Sequence, residues 1–224
     1  MKIVLLHGIF MNRLIMAPMA LRLEKMGWEV DNLSYPSTSS DKQVLFDTLQ
    51  QAVGAGPVIM VGHSLGGLVI RDFLNHRNIG SAQVPLVITL GTPHQGATIA
   101  EDLAKLNIQG MLGSSPQFGL LPSHYEPEWN LPNKLISIAG NLKIGARPLL
   151  DRVWRDGVEE SDGTVSVEET CIDGMSEHIL VQQTHTSMVY SKDVIKLIDK
   201  LGREALGAAP YQRPEHPIKQ LLKR

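Results

Sequence analysis

The chain has a single cysteine, Cys171, so no internal disulfide framework can hold it together. No histidine pair stands near Cys171 at metal-ligand spacing, and it is expected to be a half-buried, apolar-behaving side chain with no metal site around it. Long apolar runs are also missing. No stretch approaches the roughly 18 consecutive apolar residues needed to cross a bilayer, which excludes an integral membrane segment. Charge excess is slight, with a formal net charge of −2 and a pI of about 6.4. Such a chain has no global field with which to gather nucleic acid or an anionic membrane. The opening MKIVLLHG reaches a glycine after five or six apolar-rich residues, short of the roughly 7–15 of a signal h-region, and reads as a strand. A cytoplasmic location is expected. Repeats and low-complexity tracts are absent as well.

What is present fits one ordinary domain. Apolar residues make up 43 % of the 224 and charged residues 20 %, well away from the signature of disorder. Single cores grow to roughly 250 residues, so one core suffices. Short apolar runs at 2–6, 29–33, 58–61, 86–90, 134–139 and 178–182 alternate with segments of helical period. That pattern predicts an α/β fold, with a mainly parallel sheet of about six strands and helices on both faces. The predicted helices cover 16–26, 43–53, the residues after Ser64 to about His76, and 189–201. The first places Met16, Met19, Ala20, Leu23 and Met26 on one face, and the second Val44, Phe46, Leu49 and Val53. Residues 97–130 are irregular and rich in apolar side chains such as Ile99, Leu103, Met111, Phe118 and Trp129, which suggests a lid or pocket wall within a domain spanning 1–206. A second irregular insert runs from 141 to about 165. The basic, proline-rich tail 207–224 reads as an extension lying on the surface.

The chemistry centres on Gly62-His63-Ser64-Leu65-Gly66, a G-x-S-x-G pattern between an apolar strand and a helical segment. Small residues two before and two after the serine let neighbouring chain approach a tight, strained turn, from which the hydroxyl projects above the carboxyl end of a sheet. Gly67 allows close packing of the helix that follows. A serine hydroxyl is a weak nucleophile at neutral pH and needs a base, itself oriented by a carboxylate. His185, directly after the last predicted strand, is the favoured base. His178 opens that strand, while His76, His124 and His216 fall on a helix end, the irregular segment and the tail. Asp151, Asp156, Asp162 and Asp173 compete as the acid; Asp162 stands in the polar turn Ser161-Asp162-Gly163-Thr164 and Asp151 is its main rival. An oxyanion needs two donors, expected from the N–H groups of Leu65 and Ile9, while His7 reads as a brace for the loop after the first strand.

The stretches LLHGIF, GHSLGG, LGTPHQG, SDGTVSV and THTSMV, in this order, resemble the α/β-hydrolase superfamily and within it the bacterial lipases and esterases. The resemblance covers the chain to about residue 202. It implies Ser64 as nucleophile, Asp162 as acid, His185 as base, and Ile9 and Leu65 as oxyanion donors. By the same likeness Thr92, Pro93 and His94 border the acyl pocket, with Phe10 beside them, and the first strands of the full superfamily sheet are missing, as in the smallest lipases. The expected activity is cleavage of a carboxylic ester without metal or organic cofactor. The expected partner is a small ester or lipid substrate, with contact at a lipid–water interface compatible with it. Acyl transfer and thioester cleavage would use the same residues, and an inactive binding protein on the same fold is the remaining alternative. Oligomeric state is left open.

Overall fold

The structure is a computed structural model that describes residues 1–39, 41–96, 118, 128–144 and 160–212. Six strands form one sheet: β1 (Lys2–Leu6), β2 (Glu29–Leu33), β3 (Val58–His63), β4 (Leu86–Leu90), β5 (Lys134–Gly140) and β6 (Glu177–Val181). Their order is β2-β1-β3-β4-β5-β6, and every pairing is parallel. β3 continues two residues past its apolar run, because Gly62 and His63 still pair with Thr89 and Leu90 of β4. β6 begins one residue earlier than predicted, where Glu177 pairs with Ile136.

The described helices are α1 (Arg13–Lys25), α2 (Lys42–Val53), α3 (Leu65–Arg77) and α4 (Lys192–Ala205). Each start has a local cause. Asn12 and Asp41 accept hydrogen bonds from the first free N–H groups of α1 and α2. α4 starts three residues later than its periodicity suggested, since 187–189 form a separate tight turn and Ser191 Oγ then caps Val194 N–H. On α2 the predicted face is corrected at one position. Val44 is 63 % exposed, and Leu45, Phe46, Leu49, Ala52 and Val53 carry the buried stripe instead. Among the described residues, no helix is long and apolar enough to cross a membrane.

Strand alternation splits the core in two. Ile3, Leu5, Ile59 and Val61 face α1 and α4, while Val4, Leu6, Val58 and Met60 face α2 and α3. The chain adds β2 on one side of β1 and then reverses to add β3 on the other. The carboxyl ends of β1 and β3 therefore flank the topological switch point of the sheet, where open α/β sheets hold their ligands. Trp129 and Phe118, from the segment expected to form a lid or pocket wall, are buried in the core cluster that holds α2 and α3; the rest of 97–127 lies outside the described residues. Tail residues Ala209 and Tyr211 hold to α4 and α1 through Arg203 and the Lys25 carbonyl.

Candidate active site

β3 delivers Ser64 to the switch point in a backbone conformation that few residues accept. Its φ is 52° and its ψ −124°, a region that costs a residue with a side chain about 1–3 kcal/mol. The turn persists because the surroundings leave no alternative. Ser64 N–H donates to the Leu90 carbonyl at 2.9 Å, and Thr92 Oγ1 donates to the Ser64 carbonyl at 2.8 Å. A Cβ on Gly66 would lie 2.6 Å from the Leu6 carbonyl oxygen, and one on Gly62 would lie 2.5 Å from Gly67 N. Only glycine fits at either position. Ser64 also sits where a serine would ordinarily cap a helix, yet its side chain makes no capping bond to α3. The hydroxyl stays uncommitted.

Asp162 and His185, the expected acid and base, meet at the neighbouring strand ends. Asp162 follows β5 in the chain and is 1 % exposed; its Oδ1 accepts from the backbone N–H groups of Thr164 at 2.9 Å and Val165 at 2.8 Å. With Oδ1 occupied, Oδ2 faces His185 and accepts from Nδ1–H at 2.6 Å. That bond puts the ring proton on Nδ1 and leaves Nε2 with its lone pair. His185 N–H donates to the Asp162 carbonyl at 2.9 Å as well. Gly91, the first residue after β4, floors the pair: a Cβ there would stand 2.8 Å from Asp162 Oδ2 and 3.0 Å from His185 Nδ1. No hydrogen bond joins Ser64 Oγ to His185 among the described residues. Asp173, by contrast, sits away from this group and accepts Trp129 N–H on its backbone carbonyl. Asp151 and Asp156 lie outside the described residues, as do His124 and His216.

Of the expected oxyanion donors, Leu65 is the first residue of α3 and so carries one of the helix's four free N–H groups. Ile9 follows the β1 turn, beside Phe10, whose φ of 55° and bond from its N–H to Ser37 Oγ (3.1 Å) hold the loop. Phe10 is 59 % exposed. His7 braces this loop as its position implied. Its ring stacks on Tyr35 at 4.5 Å, its Nδ1–H donates to the Gly8 carbonyl at 2.9 Å, and Tyr35 N–H donates to Nε2 at 3.3 Å. Burial holds the His7 pKa below its ordinary value.

A family model described as a PGAP1-like alpha/beta domain matches residues 45–201, more than half of the chain. The chain belongs to that family. No curated protein matches it significantly. Among solved structures, this PGAP1-like domain is similar to the mature lipase BlEst2 of Bacillus licheniformis, at 25 % identity and a TM-score of 0.66 over 89 % of this chain and 91 % of that one. It also shares its fold with the metagenomic carboxyl esterase MGS0156, at 16 % identity and a TM-score of 0.61 over 92 % and 76 % of the two chains. A third match is the NocB thioesterase domain from the nocardicin cluster, at 16 % identity and a TM-score of 0.58 over 92 % and 94 %. The six-stranded parallel sheet of the PGAP1-like domain is thus an α/β-hydrolase sheet of the lipase and esterase kind.

Two buried histidines of the PGAP1-like domain have structural parts that the sequence did not reveal. His63 Nε2–H donates to the His185 carbonyl at 2.9 Å, and the two rings lie 4.7 Å apart. Burial first, and the His185 ring second, push the His63 pKa down to about 3, so it is neutral. His94 is likewise buried and lowered to about 3, with Nε2 against Thr89 Oγ1 at 3.0 Å. Thr92, Pro93 and His94 all pack inside the fold, Thr92 and His94 with no exposed surface. The bond from His63 joins residues 122 apart in sequence, and no local signal marks it.

Proposed function

We propose that this PGAP1-like domain is a serine hydrolase that cleaves carboxylic esters through an acyl-enzyme on Ser64. The observation that carries the reading is the buried Asp162–His185 hydrogen bond, at 2.6 Å, beside a serine in a strained turn. Because Nδ1 keeps its proton toward Asp162, Nε2 is the atom able to take one from Ser64 Oγ. Base and nucleophile close to hydrogen-bond reach with substrate bound, since such contacts are often long without it. Ser64 Oγ then bonds to the ester carbonyl carbon, and the carbonyl oxygen takes the negative charge between the N–H groups of Ile9 and Leu65. As the tetrahedral centre collapses, the bond to the alcohol breaks and His185 gives that alcohol its proton. Water repeats the sequence, releasing a carboxylic acid and restoring Ser64.

Asp162 remains an anion throughout and stabilises the imidazolium formed between the two proton transfers. The exposed Phe10 ring marks the entrance used by an apolar substrate, an ester or lipid. The likeness to the BlEst2 lipase and the MGS0156 esterase supports oxygen esters as the substrate class. A fluorophosphonate probe tests the proposal: it should label the intact protein and fail to label Ser64→Ala. An unlabelled wild-type protein, folded by circular dichroism, would overturn it. The likeness to a thioesterase domain keeps thioesters as the second reading. Initial rates on an oxygen ester and a thioester of the same acyl chain decide between them.

A further inference from the structure

Away from Ser64, the outer face of α4 forms one wall of a groove of about 660 Å³. Lys192, Lys196 and Lys200 follow one another along that wall a turn apart, and Arg22 and Lys25 come from the end of α1. α1 runs back antiparallel to β1 and β2, which it connects, so its last turn, with Arg22 and Lys25, lies toward the amino edge of the sheet. Its floor is apolar, with Met26, the buried Ile195 and the ring of Tyr211.

Beneath the floor the charges are already satisfied. Arg203 is 9 % exposed and donates to Asp199 Oδ1 at 2.7 Å, while its guanidinium lies 5.6 Å from the Trp28 ring and 5.7 Å from that of Tyr211. Trp28 Nε1–H donates to the same aspartate at 2.7 Å. The rim is different. Lys200 reaches Glu204 only at 3.9 Å and Lys196 pairs with an exposed Asp193 at 3.2 Å. Arg22 donates to the Tyr190 carbonyl, and among the described residues no ion pair involves Arg22, Lys25 or Lys192. Six cations and two carboxylates line the groove, a balance of +4 on a chain whose total is −2.

An exposed row of lysines alone would attract any anion, but the floor narrows the chemistry. Phosphate backbones gain nothing from Met26 and Ile195, and the volume falls within the roughly 300–1,000 Å³ of sites that enclose small molecules. The residues that follow Tyr211 do not complement the rim, since Arg213, Lys219, Lys223 and Arg224 outweigh Glu215 and are of like charge. The ligand that satisfies floor and rim together has one apolar chain and one anionic head. We infer that the groove binds a single-chain carboxylate amphiphile, of the kind that ester cleavage releases. Only the origin of the ligand rests on the hydrolase reading.

The test titrates full-length protein carrying Ser64→Ala with sodium decanoate and with decyltrimethylammonium, by calorimetry and below micelle formation. Decanoate should bind, with the cationic amphiphile at least about tenfold weaker, and added salt should weaken the binding. In the same background the triple change Lys25→Glu, Lys192→Glu and Lys196→Glu should weaken decanoate binding by about tenfold or more. If the reversals prevent folding, the same three positions changed to Gln should weaken it about threefold. Equal affinity for both amphiphiles, unchanged affinity in the charge variants, or binding only to vesicles of anionic phospholipid would overturn the inference. The charge variants with Ser64 intact should keep wild-type ester cleavage. A failed fluorophosphonate experiment would remove the hydrolase reading and leave this measurement valid.

Discussion

Asp162 shows how much one side chain's orientation can decide. Two backbone N–H groups hold its Oδ1, so in Asp162→Asn the amide oxygen takes that place and the NH₂ turns toward His185. Nδ1 would then have to accept, moving the ring proton to Nε2 and removing the base. The expected result is a fall in kcat of roughly 10⁴-fold with little change in KM or in melting temperature, as for the wrong-tautomer variant of the general triad. Steady-state kinetics on an ester substrate check it. A loss under tenfold would show that Asp162 does not set the tautomer.

At the scale of elements, the turn that carries Asp162 is closed by a device of its own. Ser166 N–H donates to Glu169 Oε2 at 2.7 Å, and Glu169 N–H donates to Ser166 Oγ at 3.1 Å. This reciprocal pair has the bonding pattern of a capping box and is buried beside a single 3₁₀ turn, Glu168–Thr170. Ser166 also bridges to Ser161, and Val167 N–H reaches the Glu160 carbonyl at 2.9 Å, so the box ties both sides of the acid turn. Glu169→Ala should cost about 1–2 kcal/mol in chemical denaturation and lower kcat. Glu169→Gln keeps an acceptor and should recover most of both. If Gln is as poor as Ala, the box is not what positions the acid.

The same scale shows what could be read in the sequence and what could not. Strands β1, β2 and β4 were legible to the residue, because each is a short β-prone run bounded by turn or loop residues. Motif and chain order singled out Ser64, Asp162 and His185, and the structure joins the last two by a hydrogen bond. Val44 misled, because an apolar residue at helical spacing says nothing about how wide the buried stripe is. The tie from His63 and the network around Arg203 depend on residues brought together from distant parts of the chain. Side-chain types alone do not encode such meetings.

For the whole molecule, neutral buried histidines set the acid limit. His63 and His94 have folded pKa values near 3, and burial also lowers those of His7 and His178. Unfolded histidines titrate near 6.5. Below that pH the unfolded chain binds protons that the native state refuses, so stability is fully present above about 6.5 and is lost as pH falls toward 3. His63 and His94 together can contribute up to about 2.7 kcal/mol per pH unit inside that window. Urea midpoints at pH 7 and pH 5 should differ accordingly, and His94→Gln should flatten the slope by about one proton. Equal midpoints at the two pH values would contradict this account.

The short bonds at the carboxyl edge have a further consequence for how this sequence can vary. Leu142 N–H reaches the Gln183 carbonyl at 3.2 Å, Val167 N–H reaches Glu160, and His185 N–H reaches Asp162. His185 is thereby tied to Asp162 and, through His63, to β3, the strand that leads into Ser64. A substitution that shifts the Asp162 turn should therefore carry His185 with it, so the two side chains vary as one unit.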